Sequence, residues 1–412
     1  METVLPHNET REEYYQRELS PLHVLGVISS PPVYYTSYPS LEQTSGEQSQ
    51  GQVPQENSQI STATIPPSVQ TSTTEPQFSQ ENLSDRIYGM FYGHALGDAL
   101  GAPHEFRYNR SLVYTGNLVH ETIFRSKYQG QKIAPIGAVT DDTQMTIALL
   151  RALVSNRLYY LKDSTIFHYI RWASTVDWRV GKNTAYLFKN IKTKDKLKTY
   201  QGRINKELEK PEDQRSSSNG CLMRALPLVI FSGMNFPDGV VSIVNIDTNI
   251  TNPTEVCREA VSIYLLMVRL ALRGLERIEI WQKIVSLPQT PEVKRVINQI
   301  TFGEIRDTVT EKGFVCHALW CAMRGLYYFN SYKDAIDWII TFQPGSDTDT
   351  NAAIAGGLLG AYYGLNRLRY EEEYNFTILN TVTGEFPDYD IKQYHSLIPA
   401  FIELLQSINF RP

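Results

Sequence analysis

Two carboxylates one residue apart, Asp347 and Asp349, open the segment GSDTDTNAAIAGGLLGAYYG (345–364), which carries no other charge. Upstream, GAVTDDTQM places Thr140, Asp141 and Asp142 just before an apolar run, and GDALGAPHEF places Glu105 seven residues after Asp98. A single Asp or Thr at such a place is explained by helix capping and by the positive end of the helix dipole. One helix needs one cap, however, and TDDT and SDTDT each supply two carboxylates and at least two hydroxyls. If the two segments met, each carboxylate pair about 4 Å apart would repel by roughly 4 kcal/mol at an effective dielectric of about 20. Neither segment contains a Lys or Arg to offset that repulsion. One or two divalent cations would offset it. Ligands made only of carboxylate and hydroxyl oxygen favour Mg²⁺ over Zn²⁺, and two such ions can polarise a substrate oxygen and activate a water.

The elements that must hold these residues read as helices. ENLSDRIYGMFYGHALGDALG starts with a Ser-Asp cap and carries Gly93, Gly97 and Gly101 at a four-residue spacing. That spacing lines one helix face with glycine and lets a neighbouring helix approach closely. Apolar residues recur at three-to-four spacing from Thr143, Ser164, Thr254, Lys312, Ser331 and Tyr394. Convincing alternating strands are absent, so residues 83–412 are expected to form one large all-α domain of ten or more helices.

Residues 1–82 differ. GEQSQGQVPQENSQISTATIPPSVQTSTTEPQFSQ is rich in Gln, Ser, Thr and Pro, too polar to bury the surface that would offset ordering costs of roughly 1–2 kcal/mol per residue. A disordered tail is expected. Within it Pro31-Pro32-Val33-Tyr34 is a PPxY string of the kind WW grooves bind, a short pattern that Pro- and Tyr-rich tails also produce by chance. The net charge of -5 at pH 7 shows none of the basic excess that nucleic-acid binding usually needs. The four cysteines lack CxxC spacing, which argues against a zinc site or a disulfide framework. The polar N-terminal residues do not resemble a signal peptide, and the apolar run from Ala260 meets Arg269 too soon to span a bilayer. A soluble cytoplasmic or nuclear protein is the expectation.

The segments GDALGAPHEF, TDDTQM, SNGCLMRALPL and GSDTDTNAAIAGGLLGAYYG, in that order, resemble the signature segments of the ADP-ribosylglycohydrolase family, which includes the dinitrogenase reductase-activating glycohydrolase. The resemblance covers about residues 84–408. It implies an orthogonal all-α bundle with two Mg²⁺ ions at the base of an ADP-ribose cleft. Carried over residue by residue, it implies Thr140, Asp141 and Asp142 as metal ligands from one side and Asp347, Asp349 and Thr350 from the other. Glu105 would orient or deprotonate the attacking water, so that Glu105, Asp142 and Asp349 form the catalytic set. Gly181, Ser216, Asn219 and Asn252 would contact the substrate. Asp98 is left outside the ligand set as a possible brace of its helix, and Arg224 reads as a buried anchor at the start of a helix near Met223.

Two places depart from the family pattern. WRVGKNT puts Arg179 where relatives often carry an Asp, with Asp177 two residues earlier, and TNPTEVC puts Asn252 where many read a histidine. Both bear on which linkage is cleaved. The reaction implied is hydrolysis of the bond between ADP-ribose and a protein side chain or related conjugate. The competing readings are a non-catalytic ADP-ribose-binding or crystallin-like member of the fold and, from metal logic alone, a two-metal phosphoesterase. Among the histidines only His104, beside Glu105, is a site candidate; His94, His168 and His317 read as core or cleft-rim residues, and Cys316 and Cys321 as packed thiols.

Overall fold

The computed structural model describes residues 80–107, 112–126, 130–176, 180–191, 193–233, 242–287, 289–384 and 386–412. The tail and its Pro31–Tyr34 string, together with Asp177 and Arg179, lie outside the described residues. The described part begins with α1 (Gln80–Gly101), a hairpin of β1 (Thr122–Ser126) and β2 (Gly130–Ala134), α2 (Asp141–Ser155) and α3 (Lys162–Thr175). There follow α4 (Lys182–Phe188), α5 (Lys196–Leu208), α6 (Ile243–Thr248), α7 (Glu255–Leu272), α8 (Arg277–Val285) and α9 (Pro291–Thr301). The last part holds α10 (Val315–Tyr328), α11 (Tyr332–Phe342), α12 (Thr348–Tyr363), α13 (Leu365–Glu371), α14 (Glu373–Thr381) and α15 (Tyr394–Ser407). The all-α reading holds, and no described helix is long and apolar enough to cross a membrane.

Three local expectations need correction. The antiparallel hairpin, in register Ile123↔Ile133, is a pair of strands where none was expected; its short, polar segments and the exposed Ile133 leave no strong alternation to read. Ser84 and Asp85 do not cap α1, which already starts at Gln80; Asp85 instead accepts the backbone N–H of Asn366 at 3.0 Å. Met223 starts no α-helix. Its segment runs as two 3-10 turns, Asn219–Cys221 and Leu226–Phe231, with Pro227 at the start of the second.

The core is organised on α1 and α12, which run antiparallel at backbone contact. A β-carbon on Gly93 would stand 2.5 Å from the Gly356 carbonyl oxygen, and one on Gly89 or Gly97 would overlap the carbonyl of Gly360 or Ala352. The glycine face thus meets the small-residue stretch that follows SDTDT, and α12 is buried from Thr348 to Ala361. Two tyrosines fix the pair from outside: Tyr332 donates to the Gly93 carbonyl at 2.6 Å and Tyr264 to that of Ile354 at 2.8 Å. Burying α12 on all sides holds its N-terminus, and the aspartates there, in one place.

Candidate active site

The close packing brings the end of α1 to the start of α12. Thr348 donates its hydroxyl to the Gly101 carbonyl at 2.9 Å, and the N–H of Phe106 reaches the Ser346 carbonyl at 3.0 Å. Glu105, between these two ties, lies with Asp347 and Asp349 so that one carboxylate oxygen from each falls within 4.8 Å of the others. Asp349 is shared with a second group, Asp98 and Asp142, at the same separation. The two loops singled out in the sequence therefore meet, and Asp349 joins them.

Capping accounts for only part of this. Thr140 is the N-cap of α2, its hydroxyl 3.5 Å from the N–H of Asp142. Asp347 stands at the N-cap position of α12 but makes no capping bond. Its Oδ2 instead accepts the Asn219 amide at 2.9 Å. Asp98 accepts the backbone N–H groups of Thr140 and Thr143 and the Thr143 hydroxyl, and the Thr140 hydroxyl is also in reach, all at 2.6–3.2 Å. A carboxylate offers about four acceptor sites, so these bonds make Asp98 a brace of the TDDT turn, while one of its oxygens also falls in the group with Asp142 and Asp349. Thr143 and Thr348 are positioning residues that the reading missed; both lie inside the quoted motifs, and their hydroxyls were the available signal.

Charge is concentrated here. Burial pushes the Asp142 carboxyl well above the ordinary range, and the charges of Asp98, Asp349, Asp141 and Asp347 push it further. Asp141 rises to about 7, chiefly through burial, against the opposing N–H of Gly181. Burial likewise raises Asp98 against its four hydrogen bonds. The Thr140 hydroxyl lies 2.8 Å from both Asp98 Oδ1 and Asp142 Oδ2, and its single proton serves one of them. Asp142 Oδ1 is buried without a hydrogen-bond partner. Unbonded buried acceptors among like charges are relieved either by taking up a proton or by positive charge from outside the chain. The donor set, carboxylate and hydroxyl oxygen, fits a hard divalent cation. Thr350, in the first turn of α12, is buried beside this cluster, with its N–H 2.9 Å from Asp349 Oδ1.

The expected substrate contacts divide. Gly181 is exposed and directs its N–H to Asp141 Oδ2 at 3.4 Å. Ser216 is partly exposed on a loop held by Glu207, whose Oε1 accepts the Ser216 N–H at 3.0 Å. Asn219 is tied to Asp347 and, through its backbone N–H, to the Gly313 carbonyl at 2.7 Å. Asn252 is fully buried, and its amide nitrogen reaches Ser216 O at 3.1 Å and Ser218 Oγ at 3.0 Å. It supports the Ser216–Ser218 loop from behind and exposes no surface to a ligand in this conformation. Arg224 is the buried anchor expected, though not at a helix start: it pairs with Asp247 at 3.3 Å and donates to Gly220 O at 2.6 Å. His104 packs edge-on to Tyr114 and His120, and burial lowers its pKa to about 4, so the imidazole beside Glu105 is neutral near pH 7. Glu207, outside every quoted motif, gave no signal.

The ADP-ribosylglycohydrolase family profile matches residues 79–372. An ADP-ribosylarginine hydrolase of Pseudomonas putida is 27% identical over 299 residues, covering 69% of this chain and 72% of that protein. The ADP-ribosyl-[dinitrogen reductase] glycohydrolase of Rhodospirillum rubrum is 24% identical, covering 69% of this chain and 88% of its own. A solved ADP-ribosylglycohydrolase-related protein complex superposes with a TM-score of 0.56 at 22% identity, over 79% of this chain and 99% of that one, which bears on fold alone. The chain belongs to the ADP-ribosylglycohydrolase family.

Proposed function

We propose that this chain is a Mg²⁺-dependent hydrolase that cleaves the glycosidic bond between ADP-ribose and a modified protein side chain or related conjugate. The observation that carries the proposal is the convergence of Glu105 with Asp347 and Asp349, next to the Asp98–Asp142–Asp349 group. Thr140, Asp141 and Asp142 would hold the cations from one side and Asp347, Asp349 and Thr350 from the other. Bound Mg²⁺ would supply the positive charge that the carboxylates lack and that charge building on the ribose requires.

The chain's own groups do the rest. Glu105 orients a water toward the ribose C1″ carbon and takes its proton as the new C–O bond forms. The bond from C1″ to the leaving nitrogen or oxygen breaks, and the leaving group collects a proton. Asn219 holds Asp347 in place, Gly181 holds Asp141, and Asn252 holds the loop that carries Ser216. Arginine-linked ADP-ribose is the first substrate to try, because relatives named ADP-ribosylarginine hydrolase share this family. The test is incubation with arginine-, serine- and poly-linked ADP-ribose, with and without Mg²⁺, reading free ADP-ribose. Mg²⁺-dependent release from one linkage supports the proposal. Retained ADP-ribose binding with no release from any linkage overturns it in favour of a binding module, and phosphate release without ADP-ribose release in favour of a phosphoesterase.

A further inference from the structure

Behind the Ser216–Asn219 loop lies a cavity of about 260 Å³ whose charged lining is entirely basic: Lys162, Arg215 and Arg258, with Gln201, Asn249 and Tyr200. No carboxylate lines it. The neighbouring cavity across Arg258 contrasts with it, since Glu255 and Glu259 line that one.

Two of the three cations, Lys162 and Arg215, have no ion pair among the described residues, and Arg258 has one. Arg215 is held in position by neutral groups, donating to the carbonyls of Lys210 (3.0 Å), Leu208 (2.9 Å) and Pro253 (3.2 Å). Arg258 donates to Asn249 Oδ1 at 3.2 Å, and its only carboxylate among the described residues is the half-exposed Glu212, at 3.4 Å outside the lining. Like charges around one recess repel each other, and fixing Arg215 with carbonyls keeps its charge there without neutralising it. A bound anion turns all three repulsions into attraction. Three cationic groups and two side-chain amides offer more donors than the two oxygens of a carboxylate can use. They suit a phosphate group, with several acceptor oxygens and up to two negative charges.

We propose that this cavity is an anion site, separate from the acidic cluster, that takes a phosphate group, either free phosphate or a phosphoryl group carried on a protein. It adjoins the substrate loops in sequence, since Arg215 precedes Ser216 and Pro253 follows Asn252.

The full chain, stripped of metal by chelator and kept at low ionic strength, is titrated with inorganic phosphate by calorimetry. Without metal the acidic cluster repels the probe, so binding reports the basic cavity. The expected result is one saturable site, weakened at least about ten-fold, or roughly 1.4 kcal/mol, in Lys162→Glu and in Arg258→Gln, and unchanged in Asp349→Asn. Lys162 is exposed, and an unchanged thermal midpoint confirms that its variant folds. A phosphoserine peptide that binds more tightly than phosphate marks a protein-borne ligand; equal or weaker binding marks the free ion. Absence of saturable binding, binding undiminished in Lys162→Glu, or binding lost in Asp349→Asn overturns the proposal.

Discussion

Gly101 lies so close to Asp349 that a β-carbon added to it would stand 2.6 Å from the Asp349 α-carbon. The last turn of α1 and the first turn of α12 are therefore fitted to each other where the carboxylates gather. Gly101 has ordinary helical angles, φ -76° and ψ -32°, so its need for glycine is steric. Gly101→Ala is expected to lose about 1–3 kcal/mol of stability through overpacking, seen as a lower thermal midpoint, together with weaker Mg²⁺ binding. Gly202→Ala is the control: it lies in α5 with nothing within 4 Å of its added carbon, and should gain up to about 1 kcal/mol.

Cation binding should appear as stability. A ligand that binds only the folded chain at a hundred-fold excess over its dissociation constant adds about 2.7 kcal/mol. Mg²⁺ is expected to raise the wild-type thermal midpoint. Asp142→Asn and Asp349→Asn should lose most of that rise while melting no lower than wild type in chelator, because each removes one of the crowded charges.

The core ion pair behind the substrate loop gives a third expectation. Arg224 is fully buried against Asp247, which also accepts the hydroxyls of Tyr160 and Tyr169 at 3.2 Å. Arg224→Met strands the Asp247 charge and should cost about 3–5 kcal/mol. Adding Asp247→Asn should return part of that loss in a denaturant titration, a coupling that independent sites would not show.

Glu372 supplies a pH signature away from the cluster. Burial lifts its carboxyl from 4.5 to about 7, against the nearby Lys333 charge and the Asn375 amide. A folded-state value above the unfolded one means that Glu372 contributes its stability fully below about 4.5 and loses it as pH rises through about 7. Glu372→Gln cannot ionise. Relative to wild type it should gain about 1–3 kcal/mol between pH 5 and pH 8, read from unfolding curves at the two values.

Much of this was legible because helix periodicity and short acidic motifs are local signals. The glycine spacing of α1 announced a close neighbour, and the uncharged run after Asp349 announced a buried helix; their pairing explains both. Charge alone said only that a meeting of TDDT with SDTDT would call for a cation, since neither loop holds one; that they meet was implied by the family resemblance. What stayed hidden depends on distant partners. Asn252 has a side chain suited to a ligand, yet the fold turns it toward Ser216 and Ser218. Glu207 stands in no motif and acts only because α5 brings it to the Ser216 backbone. The hairpin strands, TIFRS and GQKIA, are too short and too mixed to impress a period on the sequence.

The central claim is that Glu105 acts on water at a carboxylate-held cation site. It is tested most directly by measuring free ADP-ribose released from an arginine-, serine- or poly-linked substrate by wild type and Glu105→Gln in Mg²⁺, with ADP-ribose affinity measured alongside. The account predicts metal-dependent release by wild type, reduced about 10²–10⁴-fold in Glu105→Gln, with affinity for ADP-ribose nearly unchanged. Release that persists undiminished in Glu105→Gln, or a wild type that binds ADP-ribose and releases none from any linkage, would contradict it.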